Sequence, residues 1–277
     1  MPENKNPARP QAHMTTRQNS PSFADLEKLY ENDRKFIWSV ARTLQLLQSF
    51  RPGHGSLGNN ELSERTGISK ATVTRITYTL TELGYLKKDS SRKYYPSPRL
   101  LSLSYPVIGN LHVRQLAQGR MQELANLSGA FVALAWPDED VMIYVAANAA
   151  TISDAQLMDI GTRVSMARTS TGRAVLSQLP QDQLEEKFDR WSVLYGPEWP
   201  ELKARILKSI EEIHERGFCL VDGEWRSNIR TIAVPVYDRV HDTYLGLNCG
   251  GPAFNLSADE LINEYGPRLV HIAQTVA

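Results

Sequence analysis

The sequence predicts an α+β fold with a helical N-terminal third and a C-terminal half in which strands and helices alternate. Three observations support this prediction. Positive charge is concentrated before residue 100, three short capped helices and a hairpin follow one another there, and strand patterns interleave with helical ones after residue 127. We predict a winged helix-turn-helix at residues 31–99, a linker helix at 100–127 and a sensor domain with one antiparallel sheet at 128–277.

Length and composition are those of an ordinary globular protein of about two domains. The 277 residues are 42% hydrophobic and 22% charged, and no apolar run is long enough for a membrane span. Only Cys219 and Cys249 are present, so a disulfide framework is excluded and a reducing cytoplasm is the expected location. Residues 1–30 are polar and proline-bearing, and we expect a disordered tail in which Met14 is an alternative start.

The zero net charge conceals an asymmetry along the chain. Residues 1–100 hold 16 Lys+Arg against 9 Asp+Glu, and the remaining residues hold 15 against 22. Between Arg34 and Arg99 there are 12 basic and 4 acidic residues. Such a polarity is typical of a nucleic-acid-binding module fused to a separate domain.

Three helices are predicted in the basic segment, and each has its own start or stop signal. Apolar residues recur at helical spacing in the first, an amphipathic helix over 36–50: Ile37, Val40, Leu44 and Leu47. Asn60 is the predicted N-cap of a second helix, 61–66, and Ser69 that of a third, 70–83. Only a short glycine-bearing turn separates these two, as in a helix-turn-helix.

The third helix divides into two faces. The inner face is predicted to pack through Val73, Ile76, Leu80 and Leu83. The outer face carries candidate base-reading residues: Lys70, Thr72, Thr74, Arg75 and Tyr78. Threonine can hydrogen-bond phosphate or touch a thymine methyl, and arginine can bind guanine or phosphate. The hairpin that follows supplies cations for the DNA backbone: Lys87, Lys88, Arg92 and Lys93. A helical bundle with a basic surface is the alternative.

These residues also carry a family resemblance. The stretch ELSERTGISKATVTR at 61–75 and its continuation LTELGYL at 80–86 resemble the DNA-binding domain of the IclR family of bacterial transcriptional regulators. YPSPRLL at 95–101 is similar to that family's passage from wing to linker helix. Farther on, three stretches resemble its effector-binding domain in order and spacing: GRAVL at 172–176, RTIAVPV at 230–236 and LNCGGP at 247–252. The resemblance spans about residues 35–275 and implies a GAF-like sensor fold.

Strands and helices alternate in the predicted sensor domain. A hairpin of 131–135 and 141–145 precedes helices near 169–179, 181–188 and 201–216. Strands at 218–221, 231–237 and 244–249 follow, and then a last helix capped by Ser257 with Glu260 at its third position.

The resemblance also implies which residues of this chain form an effector pocket. The matching residues are Ser170, Thr171, Asp222, Thr231, Asn248 and Gly250. The turn 170–172 opens a helix whose hydroxyls and free amides could hold a carboxylate. Ala167, Arg168 and Asn228 depart from the family pattern, and we hypothesise that Arg168 binds an acidic effector through a bidentate contact. A surface arginine near the pocket mouth is the alternative.

No motif for catalysis or metal binding is present. The six histidines form no His-x-x-x-His pair, and the sequence has no phosphate loop, dinucleotide fingerprint or Gly-x-Ser-x-Gly elbow. Cys249 with His241 as a base is the catalytic alternative, and a buried strand cysteine is favoured over it. We expect no cofactor, no metal and no enzyme activity.

The resemblance implies a ligand-responsive transcription factor that is dimeric through its DNA-binding half and often tetrameric. We therefore expect double-stranded DNA with a roughly palindromic operator as one partner. The other expected partner is a small-molecule effector. The family resemblance implies an organic or aromatic acid, because the family often regulates the catabolism of such acids. Repression and activation both stay open. The alternative is a metabolite-binding protein or enzyme with an accessory basic dimerisation module.

Overall fold

The computed structural model describes residues 30–150 and 159–276, and the predicted tail lies outside them apart from Tyr30. The described chain forms two compact units. One holds the residues up to Glu123 with the segments Tyr237–Thr243 and 272–276, and the other holds Leu124–Val236 and Tyr244–His271. No helix in the described chain is both long and apolar enough to cross a membrane.

The N-terminal unit contains the predicted winged helix-turn-helix. Its elements are α1 (Trp38–Gln48), α2 (Asn59–Thr66), α3 (Lys70–Glu82), β1 (Leu86–Lys88) and β2 (Tyr94–Pro96). The two strands pair antiparallel with Lys87 opposite Tyr95. Ser69 caps α3 as predicted, since its Oγ accepts a hydrogen bond from the Thr72 amide at 3.4 Å. The core of this unit is built from Leu46, Leu57, Leu62, Ile68, Val73, Ile76, Leu80, Leu86 and Tyr94.

The predicted cap of α2 is wrong. The N-cap is Gly58, because the Glu61 carboxylate accepts a hydrogen bond from the Gly58 amide at 2.7 Å and closes the first turn. The helix therefore begins at Asn59, one residue before the predicted cap Asn60.

Three of the four residues of the predicted apolar stripe of α1 are exposed, as is Leu83 at the end of α3, whereas the fourth, Leu47, is half-buried against the core. The exposed fractions are 63% for Ile37, 53% for Val40, 55% for Leu44 and 51% for Leu83. Leu46 fills the core in their place. The reason is that α1 and α3 leave an open groove of about 520 Å³ between them, which Val40, Leu44 and Leu83 line.

The predicted single linker helix is two helices, α4 (Arg99–Gly109) and α5 (His112–Ser128). Pro106 lies inside α4 and has no amide hydrogen to donate. The helix then ends at Asn110, whose φ of −90° and ψ of 0° depart from the regular helix.

The second unit is built on one antiparallel sheet, as predicted. Its strands are β3 (Phe131–Asp138), β4 (Val141–Ala149), β5 (Arg163–Ser165), β6 (Cys219–Asp222), β7 (Ile229–Asp238) and β8 (Thr243–Pro252). Their order in the sheet is β5-β4-β3-β8-β7-β6, so β3 and β8 lie at its centre. Asn248 of β8 lies opposite Ala133 of β3, and Gly250 lies opposite Phe131.

Helices pack with this sheet around the larger core. They are α6 (Ser170–Leu176), α7 (Gln181–Tyr195) and α8 (Trp199–Arg216). After β8 the chain continues with α9 (Ala258–Glu260), a π-turn (Leu261–Tyr265) and α10 (Gly266–Val276). Every residue of α6 is buried. Gly172 permits this packing, because a Cβ there would lie 2.1 Å from the carbonyl oxygen of Met166. Ser257 caps α9 as predicted, with its Oγ 3.1 Å from the Glu260 amide.

Candidate functional site

The outer face of α3 carries the residues predicted to read DNA bases. Lys70, Thr74, Arg75 and Tyr78 are exposed, and Tyr78 has 64% of its surface in solvent. Thr72 is half-buried beside the helix start, where its Oγ1 accepts a hydrogen bond from the Ser69 hydroxyl at 3.0 Å. This face offers two cations, an aromatic ring and threonine side chains to a ligand.

The wing holds the four predicted phosphate contacts: Lys87, Lys88, Arg92 and Lys93. Lys93 Nζ lies 3.1 Å from Glu61 Oε2 and so ties the wing to α2. The Gly58 amide, and then Lys93, hold the pKa of the Glu61 carboxyl below its usual value. Lys88 Nζ lies 5.2 Å from the centre of the Tyr94 ring. The wing therefore presents an ordered basic edge.

A small cavity in the second unit is lined by residues from the sheet, from the start of α6 and from the loop after β6: Tyr144, Thr169, Ser170, Thr171, Val221, Trp225, Ile229, Thr231 and Asn248. Its volume is about 10 Å³, the space of one water molecule. None of these described lining residues carries a charge.

Hydroxyl and amide groups face one another around this cavity. Ser170 Oγ and Thr231 Oγ1 are 2.8 Å apart, and Asn248 Nδ2 lies 3.4 Å from the Tyr144 hydroxyl. Asn248 is 1% exposed, and its Oδ1 has no hydrogen-bond partner within the described chain. A buried acceptor without a partner costs free energy, so the cavity is prepared for a donor from a ligand or a water molecule.

The cavity brings together part of the predicted effector set: Ser170, Thr171, Thr231 and Asn248. Arg168 lies elsewhere, where its guanidinium pairs with Glu198 and lies 5.2 Å from the centre of the Tyr195 ring. Asp222 Oδ2 accepts a hydrogen bond from Arg230 Nη2 at 2.6 Å.

Gly250 also lies outside the cavity lining, and its contribution is close packing between strands. A Cβ at this position would lie 2.4 Å from Thr231 Cγ2, so glycine lets β8 approach β7 at Thr231. The carboxylate cradle predicted at the start of α6 is wrong in one respect. The Gly172 amide already donates to Thr169 Oγ1 at 3.3 Å, because Thr169 is the N-cap of the helix.

Sequence reasoning missed the buried ion pair between Arg173 and Glu224. The side chain of Arg173 is 1% exposed and that of Glu224 is 14% exposed. Arg173 Nη1 donates to Glu224 Oε1 at 2.9 Å and Nη2 donates to Oε2, while Nε donates to the Ala167 carbonyl at 3.0 Å. The pair anchors the loop that carries Trp225 to α6. Its sequence signal was an arginine within a run of small and apolar residues, which needs a buried acid as partner.

Burial also fixes the protonation of the phenol and thiols near the cavity. It raises the pKa of Tyr144 to about 12 and that of each cysteine, Cys219 and Cys249, to about 12. A thiol with such a pKa is a poor nucleophile. In addition, the predicted partner of Cys249, His241, has its Nδ1 2.6 Å from Asp238 Oδ2. Within residues 30–150 and 159–276, no three metal-ligating side chains come together.

A winged helix-turn-helix joined in one chain to an α+β domain is an architecture of transcriptional regulators. Family models match both halves: the IclR helix-turn-helix domain over residues 39–90 and the bacterial transcriptional regulator IclR C-terminal domain over residues 105–277. The chain therefore belongs to the IclR family of bacterial transcriptional regulators.

Individual relatives agree with this assignment. An IclR family transcriptional regulator from Brucella abortus has a crystal structure that matches with a TM-score of 0.75 at 33% identity, covering 88% of this chain and 92% of that one. The Pca regulon regulatory protein of Pseudomonas putida is 27% identical, covering 97% of this chain and 93% of its own. The relatives are transcriptional regulators, and the protein is a regulator and not an enzyme.

An IclR homologue from Microbacterium hydrocarbonoxydans, solved in complex with 4-hydroxybenzoate, shares the fold. Its TM-score is 0.68 at 18% identity, and the match covers 86% of this chain and 95% of that one. At this identity the likeness shows the fold alone.

Proposed function

We propose that this regulator binds a specific operator in the cytoplasm through α3 and the wing, and that a small organic or aromatic acid in the sensor cavity alters that binding. The observation that carries the proposal is the exposed face of α3, with Lys70, Arg75 and Tyr78 in solvent beside a basic hairpin. A helix with such a face fits the major groove, where side chains can tell base pairs apart.

The residues divide into two roles. Base reading falls to α3 through Lys70, Thr72, Thr74, Arg75 and Tyr78. Positioning on the phosphates falls to the wing through Lys87, Lys88, Arg92 and Lys93. Contacts of the second kind raise affinity for every sequence and carry no sequence information.

Self-association places two such faces on one operator. The N-terminal unit exposes large apolar side chains on α1 and α4: Ile37, Val40, Leu44, Leu101, Leu103, Tyr105 and Val107. Exposed apolar patches of this kind mark interaction surfaces. A two-fold dimer then needs a roughly palindromic operator. Pairing of two such dimers gives the tetramer.

The proposed effector site is the cavity around Asn248, Ser170 and Thr231. Its hydroxyls and its unpaired amide oxygen suit a ligand that carries both donors and acceptors, and Tyr144 and Trp225 supply aromatic surface. Two comparisons favour an acid as the effector. One relative is a Pca regulon regulatory protein, and one solved structure of the same fold contains 4-hydroxybenzoate. Arg168, Asp222 and Gly250 are left out of the proposed site because none of them lines the cavity.

The DNA-binding half of the proposal is tested by fluorescence anisotropy with the full-length protein. The probes are duplexes from upstream of its own gene and of neighbouring genes, with scrambled competitor and a salt series. We expect one duplex to outcompete scrambled DNA, and Arg75→Ala to reduce that preference by about 1–3 kcal/mol. Lys208→Ala, which removes an exposed cation from the sensor unit, is the matched control and should change nothing.

A contrasting variant separates the two roles. Lys87→Ala should weaken binding to every duplex and lower the slope of log affinity against log salt by about one. If no duplex outcompetes scrambled DNA, with or without candidate acids, the proposal of specific operator binding through α3 and the wing fails.

The effector half is tested by calorimetry with 4-hydroxybenzoate and benzoate as probes. Asn248→Leu keeps the size of the side chain and removes its polar atoms, so it should abolish binding of whichever acid binds the wild type. Arg168→Ala should leave the affinity unchanged, because that guanidinium is paired with Glu198. A loss of affinity in Arg168→Ala, with Asn248→Leu unaffected, would move the site away from the cavity.

A further inference from the structure

Thr74 is an exposed residue of α3 whose hydroxyl is already engaged twice. Its Oγ1 donates to the Lys70 carbonyl at 2.8 Å and accepts from Asn59 Nδ2 at 3.1 Å. A threonine hydroxyl has a single hydrogen to donate, and the backbone of the helix takes it. The hydroxyl therefore has no hydrogen left to donate to a base, and the methyl group and one acceptor lone pair are what this exposed side chain offers to a ligand.

Asn59, the first residue of α2, holds this arrangement. Its Oδ1 lies 3.3 Å from the hydroxyl of Thr77, a buried residue one turn along α3. One end of the amide therefore meets Thr74 and the other meets Thr77, and this stays true if the amide is turned end for end. Asn59 thereby fixes the rotation of the Thr74 side chain about its Cα–Cβ bond.

Thr79 on the same helix provides a contrast. Its hydroxyl also donates to the backbone, to the Arg75 carbonyl at 2.9 Å. It lines the groove between α1 and α3 and is not among the residues proposed to meet bases. Substituting Thr79 by serine therefore removes the same methyl group as substituting Thr74 by serine, but at a position that is not proposed to contact bases.

We propose that Thr74 recognises a thymine through its methyl group and not through its hydroxyl, and that Asn59 is the positioning residue for this contact. The proposal rests on the proposed function, in which α3 reads the major groove. The 5-methyl group of thymine is exposed in that groove, and apolar contact with a threonine methyl is one of the ways in which proteins recognise it.

The test begins with selection from a randomised duplex library by the full-length wild-type protein. The best site is then synthesised with each thymine replaced in turn by uracil, which lacks only the 5-methyl group. We expect one thymine in each half-site whose replacement weakens binding about fourfold, the effect of one buried methyl group. Sites containing uracil elsewhere should bind as the original does.

Four variants assign this discrimination to atoms. Thr74→Val loses the hydrogen bonds of the hydroxyl but keeps the methyl group on a β-branched side chain, which has one strongly preferred rotamer in a helix, so it should keep the thymine-over-uracil preference. Thr74→Ser keeps the hydroxyl and should lose it, whereas the control Thr79→Ser should retain it. Asn59→Ala should weaken the preference while leaving the salt dependence of binding unchanged. Valine, serine and threonine have similar helix propensities, and a thermal melt of each variant verifies that α3 is folded.

The outcomes separate the inference from the function on which it rests. A thymine preference that survives in Thr74→Ser and disappears in Thr74→Val overturns the inference, because the hydroxyl then reads the base. A site with no thymine sensitive to uracil also overturns it. If the wild type selects no sequence at all, the proposed function fails and the inference falls with it.

Discussion

Removing Glu224 should destabilise the sensor unit far more than removing a comparable glutamate on its surface. Glu224→Ala leaves Arg173, with a side chain 1% exposed, without its counter-charge. Breaking a buried ion pair by deleting one partner costs about 3–5 kcal/mol. The lower end applies here, since Glu224 is itself 14% exposed and the guanidinium keeps its hydrogen bonds to Ala167 and Ser209.

The assay is urea unfolding of the full-length protein, followed by tryptophan fluorescence and circular dichroism. We expect the free energy of unfolding to fall by about 3 kcal/mol at an unchanged denaturant slope, and Tm to fall by about 6–12 °C. Glu201→Ala is the matched control. It removes the same group from an exposed pair, in which Glu201 is 74% and Arg205 48% exposed, and Arg205 Nη1 keeps Glu224 Oε2 at 3.6 Å, so the loss should be less than about 1 kcal/mol. Equal losses in the two variants would refute the reasoning.

Three further predictions concern packing, capping and the thiols. Gly172→Ala would place a Cβ 2.1 Å from the Met166 carbonyl oxygen, so the sensor unit should lose its native near-ultraviolet circular dichroism, and a wild-type spectrum contradicts this. Ser69→Ala removes the cap of α3 and should cost about 1 kcal/mol in urea unfolding, against almost nothing for the exposed Ser102→Ala. Burial raises the pKa of Cys219 and Cys249 to about 12, so both thiols stay protonated at pH 8. A thiol reagent should therefore label them only in urea, and full labelling of the folded protein would contradict this prediction.

Features decided within a few residues of sequence were predicted well. The caps at Ser69 and Ser257 depend on a side chain and an amide three residues apart, so their signal is local. The β3–β4 hairpin follows from two apolar runs around a polar turn. Failures arose where a choice between local alternatives depends on the rest of the fold. The cap of α2 is a local failure instead: Glu61 accepts from the Gly58 amide three residues earlier, and glycine has no side chain to mark it as a cap beside Asn60.

The buried face of α1 illustrates a second kind of failure. Apolar residues occur on more than one side of this helix, so periodicity alone could not tell Leu44, which is exposed, from Leu46, which is buried. The break at Asn110 was hidden for a related reason. The apolar spacing continues through it, whereas the helix ends at Gly109 with Asn110 as its C-cap.

Only part of the site was predicted, because its residues are far apart in sequence and meet only in the folded chain. Ser170 and Thr231 are 61 residues apart and were identified through the family resemblance, and the structure places their hydroxyls in contact. Arg173 and Glu224 are 51 residues apart, and no local pattern links them. Arg168 directly precedes Thr169, which lines the cavity, but its guanidinium pairs with Glu198 instead.

The size of the cavity constrains how an effector would act. A space of about 10 Å³ holds a water molecule and not an aromatic acid, so binding of such an acid requires an opening of the sensor unit. The start of α6 and the strand at Gly250 are poor candidates for movement. At Gly172 and at Gly250 the neighbouring atoms lie so close that no Cβ would fit. Trp225 lies in the loop that Glu224 anchors, and it is half-buried whereas the other described residues that line the cavity are buried. Under the proposed function, an effector that binds only the opened form would stabilise it by its differential affinity for the two forms.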